Sequence, residues 1–109
     1  MFTTLHVSLE VVRQLRSVVG ELKRRDAGLA DQLARAASSV TLNLAEGAKR
    51  NGRDQLHHYR IADGSCAEVR AALSLGEAWG HLEGLDLAHL MSLLDRLAAL
   101  LHRLTHRRC

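Results

Sequence analysis

The sequence predicts an all-α fold: an antiparallel, up-down-up-down four-helix bundle forming one domain over residues 1–109. Three observations predict it. There is no proline, the residue that most often punctuates loops and strand edges. Aromatics are reduced to one Phe, one Tyr and one Trp, while Leu and Ala abound, a composition that suits helices better than strands. Apolar residues recur at steps of three and four in successive segments separated by short breaks, which is the period of one helix face.

The first stripe is Leu5, Ser8, Val12, Leu15, Val19 and Leu22. It ends at "KRRDAG", where three cations suit the negative end of a helix dipole. The second is Leu29, Leu33, Ala36/Ala37, Val40, Leu44 and Gly47, closed by Asn51–Gly52. Asn51 with Asp54 resembles a capping box at the next start. The third is Tyr59, Ala62, Cys66, Val69, Leu73 and Gly76, followed by a turn around Gly80 and Gly84. Asp86 begins the fourth, where Leu87, Leu90, Leu94, Leu97, Leu101 and Leu104 hold a seven-residue repeat. Helices of ~20 residues are about 30 Å long, and short turns between them force each to reverse on its predecessor.

The fractions of charged and hydrophobic residues, 25% and 47%, are those of a soluble globular chain. No apolar run reaches the ~18 residues of a membrane span, and the start lacks the pattern of a signal peptide. With Cys66 inside a helical pattern and Cys109 last, no metal-ligand spacing exists, so a reduced, cytoplasmic protein with no membrane role is expected. The last helix carries Met91, Leu93, Ala98 and Leu100 beyond its main stripe. Such surplus apolar surface predicts a homo-oligomer.

The central half adds a motif. "GLADQLARAASSVTLNLAEGAKRN", residues 28–51, is followed by "IADGSCAEV", residues 61–69. Gln32, Leu33, Arg35, Ala36, Ala37 and Ser39, then Asn43, Ala45, Glu46 and Gly47, then Gly64, Ser65 and Glu68 carry it. In these residues the chain resembles the four-helix-bundle family of 23S rRNA intervening-sequence proteins. It resembles more distantly the accessory variability determinant of diversity-generating retroelements. The resemblance implies a bundle assembled into a ring, with a homopentamer favoured, and it implies no known reaction. Through the retroelement relative it implies RNA or DNA and a reverse transcriptase as partners. Thr41 stands where such proteins often have proline. Gln55 stands where they often have an aromatic, a change expected to loosen the turn between helices two and three.

Arg35, Asn43, Glu46, Ser65 and Glu68 are polar residues close to apolar stripes. Folding helices two and three back about Arg50–Asn51 brings Asn43 near Tyr59, Ser39 near Ala62 and Arg35 near Cys66 to Glu68. An Arg35–Glu68 ion pair and an interhelical Asn43 bond would then fix register, because slippage leaves polar groups unpaired.

Catalytic readings find little support. Asp54-x-x-His57 and Asp86-x-x-His89 resemble the steps of di-iron bundles, but alternate helix starts lie at opposite ends, about 30 Å apart. No serine has an evident Ser/His/Asp arrangement, no phosphate-cradling glycine loop is present, and neither a metal nor another cofactor is expected. The expectation is a protein that is not an enzyme.

Charge is sorted by end. One end gathers Lys49, Arg50, Arg53, Arg103, Arg107 and Arg108 against Glu46 and Asp54, with His6, His57, His58, His102 and His106. The other mixes Lys23, Arg24 and Arg25 with Asp26, Asp31, Glu77, Glu83 and Asp86. The first end is therefore the candidate nucleic-acid-binding surface, holding phosphate backbones without reading sequence. The alternative is a protein-interaction scaffold, for example for a reverse transcriptase, without direct nucleic-acid contact.

Overall fold

The computed structural model describes residues 2–106. It contains α1 (Thr3–Arg25), α2 (Ala27–Ala48), α3 (Gly52–Ala78) and α4 (Ala88–Thr105), within an envelope of 45 × 23 × 22 Å. No strand occurs among the described residues. α1 packs on α2 and α4, α3 packs on the same two helices, and the α2–α3 contact is the most extensive.

The core is built from Leu, Val and Ala. α2 supplies Ala30, Ala36 and Ala37 between Leu29, Leu33, Val40 and Leu44, and α4 supplies Leu90, Leu94, Leu97 and Leu101. The small residues of α2 let its neighbours approach closely, which fits its dominant contact with α3.

The stripe expected on α1 is rotated. Val7, Val11 and Val18 are buried together with Ser8, Leu15 and Leu22, whereas Leu5, Val12 and Val19 are half-buried. Two adjacent rows of the helix are apolar, so period alone does not choose between them. On α4, Leu87 and Leu104 are likewise half-buried. The expected surplus there is absorbed: Met91, Leu93, Ala98 and Leu100 pack, half-buried, against the core. Among the described residues, the large hydrophobics left exposed are Leu42, Ile61, Leu75 and Trp79, on α2, α3 and the residue after α3.

Helix ends differ in detail from the sequence reading. α4 begins at Ala88 rather than Asp86, because the Asp86 carboxylate accepts the Ala88 N–H at 3.1 Å in a turn before the helix. The capping box at Asn51 does not form, since Asn51 makes no side-chain cap bond and Asp54 turns to Arg50. Gln55, expected to loosen this turn, instead donates to the carbonyls of Gly47 at 3.1 Å and Arg50 at 3.0 Å. Gly52, at φ 55°, supplies the left-handed conformation that the entry to α3 requires.

At the α1–α2 break the Asp26 carboxylate accepts the Leu29 N–H at 3.0 Å, a cap that the sequence reading treated only as charge. Asp26→Ala is expected to lose about 1 kcal/mol, read as a lower denaturation midpoint with an unchanged denaturant slope.

Candidate functional site

A polar seam runs between α2 and α3. The Asn43 amide nitrogen donates to the Ser39 carbonyl at 2.9 Å and contacts the Ser39 hydroxyl at 3.2 Å. That orientation leaves the amide oxygen as acceptor for His58 Nδ1 at 3.1 Å. Ser65 donates to Ser39 Oγ at 2.8 Å. Asn43 thus reaches a neighbouring helix as expected, through His58 rather than Tyr59, and Ser39 meets Ser65 rather than Ala62. Between α1 and α2, Ser8 gives its proton to the Leu5 carbonyl at 2.7 Å, so Thr41 donates to Ser8 at 2.8 Å. Every buried side-chain nitrogen or oxygen among the described residues has a partner, as polar atoms removed from water require.

The expected Arg35–Glu68 ion pair is absent. Arg35, with its side chain 81% exposed, approaches Asp31 on its own helix at 3.6 Å, and Glu68 is exposed with no ion pair among the described residues.

Glu46 belongs to a second group. Arg50 holds Glu46 at 2.8 Å and Asp54 at 3.1 Å. Hydrogen bonds from Arg50, reinforced by its charge, keep the Glu46 carboxyl below its ordinary value. The same partners push the Arg50 guanidinium higher still. A carboxylate with a depressed pKa stabilises the fold above its unfolded value and loses that contribution as acid protonates it. This pair therefore matters at neutral pH and is lost at the acid end of the carboxylate range.

One arginine thus occupies both carboxylates of the α2–α3 turn. Lys49 and Arg53, in the same turn, are exposed and have no ion pair among the described residues, and the same is true of Arg103 near the end of α4. Arg107 and Arg108 lie outside the described residues. Phe2 packs against Tyr59 with ring centroids 6.1 Å apart, which brings the start of α1 to the first half of α3. Thr3, His6, Val7 and Glu10 share a groove with Leu93 and Arg96 of α4, residues that precede its last turns. There His102 and His106 stack, centroids 3.9 Å apart, a contact visible in advance only as a four-residue spacing. Away from this end, Arg24 and Arg25 are both held by Glu21, at 3.0 and 3.2 Å.

The remaining reactive groups have structural surroundings. Asp54 and Asp86 serve the turn contacts already described, and among the described residues no three His, Cys, Asp or Glu side chains gather at one point. Burial pushes the Cys66 thiol up to about 11. At pH 8 its thiolate population is then about a hundredth of that of a thiol at the ordinary value of 9.0. Iodoacetamide is expected to leave Cys66 unmodified in the folded protein and to label it in denaturant, as peptide mass mapping would report.

Among the described residues, no helix is long and apolar enough to cross a membrane. The sequence model of the family described as 23S rRNA-intervening sequence protein matches residues 4–103. A crystal structure from Bacteroides thetaiotaomicron, described as a protein with unknown function from the S23 ribosomal protein family, superposes with a TM-score of 0.79 at 18% identity. The alignment covers 95% of this chain and 99% of that one. No curated protein matches the chain.

Proposed function

The chain belongs to the 23S rRNA-intervening sequence protein family, and from that premise we propose a non-enzymatic, homo-oligomeric accessory protein that holds RNA or DNA by its phosphate backbone. The helices run antiparallel, up-down-up-down. The seam supports this: Gly47 pairs with Gln55, Asn43 with His58 and Ser39 with Ser65, stepping down α2 as they step up α3. The subunits form a ring with their basic ends on one face.

One observation carries the binding assignment. Arg50 hydrogen-bonds both carboxylates of its turn, so Lys49 and Arg53 make no ion pair among the described residues and the turn keeps a net positive charge, with Arg103 on the same end. Arg50 organises the turn, and the other three cations meet phosphates. Contacts of this kind release counterions, so affinity falls steeply with salt, with a log–log slope of roughly −0.9 per phosphate neutralised on duplex DNA. Few aromatics are present to stack bases, which favours backbone contact over sequence readout.

The test is fluorescence anisotropy with labelled duplex RNA and duplex DNA across a salt series. The Lys49→Glu/Arg53→Glu/Arg103→Glu variant is expected to lose more than about tenfold in affinity and to flatten the salt slope, with its mass in solution unchanged. Binding as tight as that of the original protein would remove these residues from the interface. A scaffold reading draws on exposed Leu75 and Trp79, away from the basic end; it predicts a protein partner whose capture ignores both salt and the triple substitution.

A further inference from the structure

His102 and His106 lie four residues apart at the end of α4, both exposed, with ring centroids 3.9 Å apart and ring planes at 22°. That spacing puts both side chains on one helix face. The turn beneath them is fixed. Leu101 and Thr105 on it are buried, and the His106 backbone N–H donates to the His102 carbonyl at 2.9 Å.

The hydrogen bonds assign the His106 tautomer. Its Nδ1 lies 3.0 Å from the His102 carbonyl and 3.0 Å from Thr105 Oγ1. The carbonyl can only accept. Thr105 gives its one proton to the Leu101 or the His102 carbonyl, at 3.0 and 3.2 Å, so its oxygen accepts from His106. Nδ1 therefore carries the proton, and the lone pair of the neutral ring sits on Nε2. An imidazole tied in this way through its inner N–H to a carbonyl has the orientation typical of metal-binding histidines. His102 makes no side-chain hydrogen bond among the described residues, so its ring is free to turn. The other close pair of histidines lacks this arrangement. His57 and His58 meet edge-on with centroids 5.6 Å apart, and adjacent residues do not face one another on a helix.

We propose that His102 and His106 form a two-nitrogen site for a borderline divalent transition ion, of the class of Zn²⁺ and Ni²⁺, through Nε2 of His106 and one nitrogen of His102. Rotation of the exposed His102 side chain converts the stack into a chelate. Imidazole nitrogens suit these ions, whereas Mg²⁺ and Ca²⁺ seek oxygen. Two protein ligands leave the other coordination positions to water, so the ion is held without being enclosed. Arg103, next to the pair, opposes a cation, while the carbonyl end of α4 favours one. Nitrogen coordination rather than net charge therefore drives binding. Added salt screens the arginine and should not weaken it, whereas phosphate contacts weaken with salt. The assignment does not depend on nucleic-acid binding or on self-assembly.

Isothermal titration of the whole chain with NiCl₂ in chelator-free buffer tests it, with circular dichroism to verify folding of each variant. One Ni²⁺ per chain is expected. His102→Ala and His106→Ala, both at exposed positions, are each expected to lower affinity by about tenfold or more, since losing even a supporting partner of a ligand costs that much. His57→Ala, equally exposed, should bind as the original does. About a tenfold excess of Mg²⁺ should not displace the Ni²⁺. A chain that binds no Ni²⁺ at millimolar concentration overturns the proposal. So does binding that survives the His102→Ala/His106→Ala double substitution, which would put the ion on Cys109 or on other histidines. A loss on His57→Ala equal to that on His102→Ala overturns it as well.

Discussion

Replacing Leu94 with alanine is expected to remove about 2–5 kcal/mol of folding stability. Leu94 is fully buried on α4, between the turns that bear Leu90 and Leu97. The substitution forfeits the transfer energy of the lost atoms and leaves a cavity whose cost depends on how far the surroundings relax. Here they relax little: among the described residues the buried apolar core is Leu, Val and Ala with Cys66 and Tyr59, and Met91, the methionine packed against it, is only half-buried. The upper half of the range is therefore expected. Domains of this size have about 5–15 kcal/mol in total, so the melting temperature should fall by more than about 10 °C. Calorimetry at fixed protein concentration measures it, because self-association contributes to apparent stability. Leu75→Ala, at an exposed position, is the control and should stay within about 0.5 kcal/mol. Equal losses at the two positions would contradict the packing described for α4.

Gly47→Ala is expected to destabilise by about 1–2 kcal/mol, against the usual direction of a glycine replacement within a helix. A Cβ at Gly47 would sit 2.7 Å from Tyr59 Cε1, 2.9 Å from Tyr59 Cδ1 and 3.1 Å from His58 Cβ. The ring cannot swing aside freely, since Tyr59 is buried and packs on Phe2. Overpacking of this kind costs about 1–3 kcal/mol, and the helix preference of alanine returns at most about 1. A double-mutant cycle identifies the cause. In a Tyr59→Ala background the two contacts under 3 Å are gone and only the 3.1 Å approach to His58 Cβ remains, so most of the Gly47→Ala penalty should disappear. The same penalty in both backgrounds would point to the helix end itself rather than to the ring. The glycine of the Ala-Glu-Gly motif is explained by this close approach of α2 to α3.

Periodicity and punctuation located all four helices, because each buries one regular face and each break contains a residue that ends or restarts a helix. They did not orient α1, where the row of Val7, Val11 and Val18 competes with that of Leu5, Val12 and Val19. Sequence position also gave heights along the bundle better than directions around it. Arg35 and Glu68 are expected to pair across the seam, yet both are exposed, and Arg35 turns to Asp31 on its own helix. The sequence marks Asn43 as an interhelical residue, while its partner His58 is legible only as one of the histidines of the basic end. At the basic end the cations were legible one by one. That Arg50 bonds both Glu46 and Asp54, leaving Lys49 and Arg53 without an ion pair among the described residues, follows from side-chain geometry that no spacing rule contains.

The turn between α3 and α4 has a practical use. Gly80 and Gly84 have φ of 76° and 84°, and Leu82, 4% exposed, anchors the turn over Gly76. Glu83 and Gly84, just past the anchor, face solvent. In the proposed antiparallel arrangement, a fluorophore or affinity peptide inserted between them sits far from Lys49 and Arg53, whereas a fusion beside the start of α1 or the end of α4 crowds the proposed cationic end. Immobilising the protein through residues 83–84 would leave that end presented to whatever flows past it.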